Sequence, residues 1–146
     1  MKAVNTMFKE FNHFSFNVID VTLKGESDIL INTKGITISR GVIEEMGYPS
    51  HVRMMIDNEN KVFAIQACKQ TDENAYRFSK PKGEQKKPVY CHIIAIRNII
   101  HDLMADSWSE KDSYRVKGIY YKDAKAMIFN LKAATRQEPY SASKKA

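Results

Sequence analysis

Apolar and polar residues alternate from Ile36 to Ile38. Apolar residues then recur at helical spacing at Val42, Ile43 and Met46, and alternate again at Val52, Met54 and Ile56. One apolar residue in two marks a half-buried strand, and one in three or four marks a helix against a core. This stretch therefore predicts strand, short helix, strand. Ser39 is placed to cap the helix, with Glu44 and Glu45 facing outward. Gly47 suits the left-handed residue that ends a helix, and Pro49 prevents a restart. Asp57-Asn58-Glu59-Asn60 predicts a turn, because Asp and Asn bond their own backbone and tolerate positive φ. Val62 to Cys68 is the return strand.

The same order recurs further on. Val89 to Ile93 reads as a strand. Ile96, Ile99, Ile100, Leu103 and Met104 give the i, i+3, i+4, i+7, i+8 stripe of an amphipathic helix. Trp108 opens a turn region. A strand from Tyr114 toward Tyr121, a turn at Lys122-Asp123 and a return from Ala126 to Leu131 complete the unit. The prediction is an α+β single domain over 1–146, built of two β-α-β-β half-repeats, 35–68 and 89–131. They share one core in the manner of a double-split barrel. Residues 69–88 form a basic linker loop between them. A short N-terminal helix is expected over 5–12, with Met7, Phe8 and Phe11 on one side, then strands over 14–23 and from Ile29 to Asn32. The Ser-, Lys- and Ala-rich end, 132–146, is expected to be a mobile polar tail.

The charge adds a direction. Lys and Arg total 23 against 17 Asp and Glu, a formal net charge of +6, which favours an acidic partner: nucleic acid, an acidic protein surface or an anionic nucleotide. The densest cluster is Arg77, Lys80, Lys82, Lys86 and Lys87, with Tyr76 and Phe78 interleaved. Cations of this kind track a phosphate backbone, and aromatic rings among them stack on bases. The plainer alternative is a solvated linker whose lysines keep it soluble. Lys34, Arg40 and Arg53 form a second candidate set, Arg53 pointing away from the core if Val52 and Met54 face it. Arg115, Lys117, Lys122 and Lys125 decorate the second hairpin as a third.

Catalytic signatures are missing: the chain has no nucleophile-elbow, phosphate-loop, dinucleotide or zinc-protease motif. His13, His51, His92 and His101 show no metal spacing, and His92 and His101 sit beside apolar positions where hydrogen-bonded structural histidines are expected. No catalytic residue, metal or cofactor is assigned, and a non-enzymatic binding protein is expected. Cys68 and Cys91 lie in apolar stretches and read as buried free thiols of a reducing compartment. The N-terminus lacks an unbroken apolar run, and no stretch approaches the roughly 20 apolar residues of a membrane span. A cytoplasmic location and no membrane partner are expected.

The run Lys34-Gly35-Ile36-Thr37-Ile38-Ser39, followed by Val42-Ile43-Glu44-Glu45-Met46-Gly47-Tyr48-Pro49 and the hairpin from Val52 to Ile65, resembles the swapped-hairpin transcription factors of the AbrB and MraZ type. Those proteins share the order glycine, short strand, helix ending at a Leu-Gly-like step, then hairpin, and the MraZ type carries two such units. The resemblance implies DNA binding and regulation of transcription, and leaves a homodimer open. The basic, proline-containing strand entry of those families is here Gly35-Ile36-Thr37-Ile38-Ser39-Arg40, with Arg40 its one basic residue. The short, lysine-rich chain also looks like the accessory proteins of phages and prophages. That likeness implies a second reading: a phage-encoded inhibitor of host defence, anti-CRISPR-like, binding a protein effector or an anionic nucleotide.

Overall fold

The computed structural model describes residues 26–137 together with Ser15. The expected N-terminal helix and the 14–23 strand lie outside those residues, as does the tail beyond Gln137. Among the described residues the fold is α+β, a curled half-barrel of mostly antiparallel strands with few helices. The strands are β1 (Asp28–Ile31), β2 (Ile36–Ile38), β3 (His51–Asp57), β4 (Val62–Cys68), β5 (Tyr76–Arg77), β6 (Val89–Cys91), β7 (Ser113–Tyr121), β8 (Ala126–Asn130) and β9 (Thr135–Gln137). Helix α1 (Arg40–Glu45) follows β2, and helix α2 (Ile94–Leu103) follows β6. The hydrogen-bonded path runs β5-β3-β4-β8-β7-β1-β2-β6, with β9 also on β7.

The large apolar residues of five strands recur at a period of two. Ile29 and Ile31, Ile36 and Ile38, Phe63 and Ile65, Tyr114 and Val116, and Met127 and Phe129 are buried. Phe63 faces Phe129 across the β4–β8 ladder, ring centroids 6.0 Å apart. Burying a side chain of this size contributes about 1.5–3 kcal/mol, so these inward pairs hold the sheet in its curl. Val42 and Ile43 of α1 with its C-cap Met46, and Ile100 of α2 with its C-cap Met104, close over them.

Ser39 does more than cap. Its Oγ accepts from the Val42 N–H at 3.4 Å and from the Asp28 N–H at 3.0 Å, and donates to the Glu26 carbonyl at 3.0 Å. One hydroxyl thus starts α1 and pins the entry of β1. Met46 is the C-cap, with Gly47 and Tyr48 both left-handed (φ 80° and 57°) before Pro49. The β3–β4 turn forms as its composition predicts. The Asp57 carboxylate accepts from the Asn60 N–H at 3.1 Å and from its Nδ2 at 2.8 Å, and those bonds hold it below the usual carboxylate range.

Three segments differ from the sequence expectation. Within 69–88, Tyr76–Arg77 pairs with His51 and Val52 as β5, and Phe78 and Ser79 are buried. The Ser79 N–H and hydroxyl both donate to the Pro49 carbonyl, and the Phe78 N–H donates to that of Ser50. Backbone pairing and Phe78 burial win over a polar composition. The start of the expected 132–146 tail has regular structure: Lys132 and Ala133 complete a 3-10 turn that begins at the buried Leu131, and β9 pairs with Ser113–Arg115. Helix α2 is rotated from the predicted stripe. Arg97, Ile100 and His101 are its buried residues, whereas Ile99 is half exposed. Arg97 turns inward because its charge is satisfied: Nε donates to the Asn32 carbonyl at 3.1 Å and Nη2 pairs with Glu110 at 3.1 Å.

Candidate nucleic-acid interface

The predicted cations occupy three places. Arg40 is the first residue of α1, and its Nη1 donates to the Lys86 carbonyl at 3.2 Å. That bond draws the lysine loop against the start of α1. The loop is braced internally: the Gln85 side chain accepts from the Lys80 N–H at 2.7 Å and donates to the Lys87 carbonyl. Lys80, Lys82, Lys86 and Lys87 are all exposed around this frame. At the other end of the anchored Phe78–Ser79 step, Arg77 on β5 lies opposite His51 on β3. Arg53, two residues along β3, shares the face of His51 and donates through Nε to Gln66 Oε1 at 2.9 Å. Arg53 and Arg77 are exposed.

Lys34 stands apart. It lies in the β1–β2 turn, where Asn32 Oδ1 accepts from both the Lys34 and Gly35 N–H groups. That turn is at the far end of β2 from Arg40, packed so closely on the Cys91–His92 backbone that only glycine fits at 35. The structure therefore brings Arg40 to the lysine loop and Arg53 to Arg77, and leaves Lys34 by itself.

Ion pairing separates the candidate sets. Among the described residues, Arg97 pairs with Glu110, Arg115 with Asp28, Lys117 with Glu26 and Arg136 with Asp112. None of Lys34, Arg40, Arg53, Arg77, Lys80, Lys82, Lys86 and Lys87 forms a salt bridge within 4.0 Å to another described residue. Half of the third set, Arg115 and Lys117, is neutralised locally and adds little net field. The aromatic partners expected beside the loop are not presented. Phe78 is 7% exposed, and Tyr76 is half buried, where burial and hydrogen bonding to the Cys91 thiol push its phenol up to about 12.

Aromatic rings gather elsewhere, around Trp108, which the sequence pattern placed at the start of a turn region, and Tyr114, which it placed at the start of a strand. Trp108 stacks on Tyr114 with ring centroids 4.2 Å apart and planes 6° from parallel. The His101 ring meets both edge-on, at 5.4 Å and 6.3 Å. His101 is not the hydrogen-bonded histidine that its apolar neighbours suggested. It is 2% exposed, and its Nε2 is buried without a hydrogen-bond partner among the described residues. Burial first and the Arg97 charge second push its pKa below the usual histidine value, against weaker opposing pulls from Glu110 and Asp102. Trp108 and Tyr114 form the wall of a cleft of about 500 Å³ with Lys61, Lys132 and Arg136 around it. The one signal in the sequence was the lone tryptophan near an aromatic two turns of chain away; the cations come from β4, β8 and β9 regions that no local pattern links.

A second cleft, of about 300 Å³, lies between β3 and α2 and is lined by Met54, Ile56, Tyr76, Ile93, Ile96 and Ile99. Both cysteines are free, Cys91 buried and Cys68 only partly so. Among the described residues, no group of three or more His, Cys, Asp or Glu is placed to hold a metal ion, and no helix is long and apolar enough to cross a membrane. No family model, curated protein or solved structure matches the chain.

Proposed function

We propose that this chain is a non-enzymatic nucleic-acid-binding protein, a regulator built in the manner of the AbrB and MraZ type. Arg40, Arg53, Arg77, Lys80, Lys82, Lys86 and Lys87 are its phosphate-facing set, with Lys34 as an outlying contact. The observation that carries the reading is the Arg40–Lys86 bond, which fastens a loop of exposed, unpaired lysines beside a structured arginine. Cations without carboxylate partners can neutralise phosphates and so release the counterions condensed on a nucleic-acid backbone. The arrangement suits backbone contact, and base choice is not built into it.

The same proposal takes the two strand-helix-hairpin units as a duplication related by an approximate two-fold axis, in a split-barrel manner. Its support is reciprocity in the hydrogen bonds. The Ala67 N–H donates to Lys125 O and the Leu131 N–H to Lys61 O, both at 3.0 Å, and one constant offset converts the first pair into the second. That offset also carries Ala64 onto Ile128, its own partner in the β4–β8 ladder.

Fluorescence anisotropy with labelled random duplex DNA at about 50 and 200 mM salt tests the function, because phosphate contacts weaken steeply over that range. Binding that collapses with salt is expected. No binding at the lower salt overturns the proposal.

A further inference from the structure

We propose that the cleft walled by Trp108 is a nucleotide site, taking a flat aromatic ring against the indole and a phosphate against Lys61, Lys132 and Arg136. The inference stands apart from the lysine-loop reading, since it uses none of those residues.

Size, chemistry and rigidity each support it. A cleft of about 500 Å³ lies within the range of small-molecule sites. Among the described residues its lining includes Trp108 and Tyr114 together with the cations Lys61, Lys132 and Arg136, the last of them shared with Asp112 at 2.9 Å. An aromatic ring joined to an anion is the ligand that such a mixed wall recognises: the ring gains stacking and the phosphate gains charge-assisted hydrogen bonds.

The site is held before any ligand arrives. The indole is fixed by stacking on Tyr114, which is buried, and the Tyr114 hydroxyl accepts from the Ser109 N–H at 2.7 Å, tying down the residue after Trp108. His101 braces both rings from their edges. Lys61 Nζ donates to the Leu103 carbonyl at 3.3 Å, and Arg136 Nε pairs with Asp112 at 2.9 Å, so both side chains are oriented. Lys132 is exposed, in a short 3-10 turn capped by Asn130. Groups that are already immobile lose little entropy on binding.

Trp108 is the one tryptophan of the chain, so its fluorescence reports this cleft. The full chain is titrated with ATP, with adenosine, and with a single-stranded oligothymidylate. Saturable quenching by ATP with little by adenosine is expected if the ligand is a free nucleotide. Saturable quenching by the oligonucleotide alone is expected if the cleft takes one nucleotide of a strand. In either case Lys132→Glu, an exposed change, weakens the effective ligand by about tenfold or more, as loss of a charged hydrogen-bond partner does. Absence of saturable quenching by ATP and oligonucleotide, equal quenching by adenosine and ATP, or an unchanged affinity in Lys132→Glu overturns the proposal. Replacing Lys80, Lys82, Lys86 and Lys87 together by Ala leaves the ATP response intact even where duplex binding is lost, so the two readings fail separately.

Discussion

Lys61 and Lys125 hold the same place in two different hairpins. Each is the last residue of its turn, each is left-handed (φ 56° and 54°), and the carbonyl of each accepts from the other hairpin's return side: that of Lys125 from Ala67 on β4, and that of Lys61 from Leu131 just past β8. A lysine there carries a steric cost that glycine does not, since the left-handed conformation brings Cβ against the carbonyl oxygen.

Lys125→Gly therefore stabilises the fold by about 0.5–1 kcal/mol, the relief of strain offset in part by glycine's greater unfolded freedom. Lys61→Gly gains less, because it also loses the Nζ bond to Leu103. Urea unfolding of the two variants measures both changes. A loss of stability in Lys125→Gly contradicts the strain argument.

Two glycines are required for space rather than for turning alone. A Cβ on Gly35 would overlap the Cys91 carbonyl oxygen at a φ of 155°, and backbone cannot move aside without opening the β2–β6 ladder. Gly35→Ala is expected to cost about 3 kcal/mol or more. A Cβ on Gly118 would sit 2.7 Å from Phe129 Cε1 and 2.8 Å from Met127 Sδ, side chains that can shift. Gly118→Ala is expected to cost less, about 1–3 kcal/mol. Thermal or urea unfolding gives the ranking, and a reversed order refutes it.

His101 makes stability depend on pH. Its folded pKa is depressed below 6.5, so the unfolded chain binds the proton more tightly. Stability from this residue is complete above pH 6.5 and is lost as the pH falls through the lower folded value. Arg97, Glu110 and Asp102 are the charged groups that act on the ring, with burial the largest influence. His101→Phe flattens the acid limb of a stability profile measured from pH 7 downward; a profile unchanged in that variant shows that other groups set it.

The hairpins and α1 were legible in the sequence because their determinants are local. Ser39, the alternation of Val52, Met54 and Ile56, and the Asp57–Asn60 bonds act within a few residues, and β4 runs from Val62 to Cys68 as the pattern indicated. What local pattern does not carry is partnership. Ile99 belongs to the apolar stripe of α2 yet faces out, because Arg97 finds Asn32 and Glu110 and takes the inward position. Phe78 sits among lysines and still buries, because the chain on either side of it pairs with Pro49, Ser50 and β3. The basic loop was visible as composition, whereas its attachment through Arg40 is a contact between residues 46 positions apart. Of the Trp108 cleft the sequence showed only the lone tryptophan, for the same reason: its cations, Lys61, Lys132 and Arg136, are brought together by the fold.

The central claim is that the loop lysines meet phosphates. Its most direct test is the salt dependence of duplex DNA binding, compared between the natural chain and the variant with Lys80, Lys82, Lys86 and Lys87 replaced by Ala. Each phosphate contact contributes about −0.9 to the slope of log K against log salt, so loss of the four flattens the slope by roughly 3 to 4. A natural chain that binds with the same slope and affinity as the variant would contradict the account.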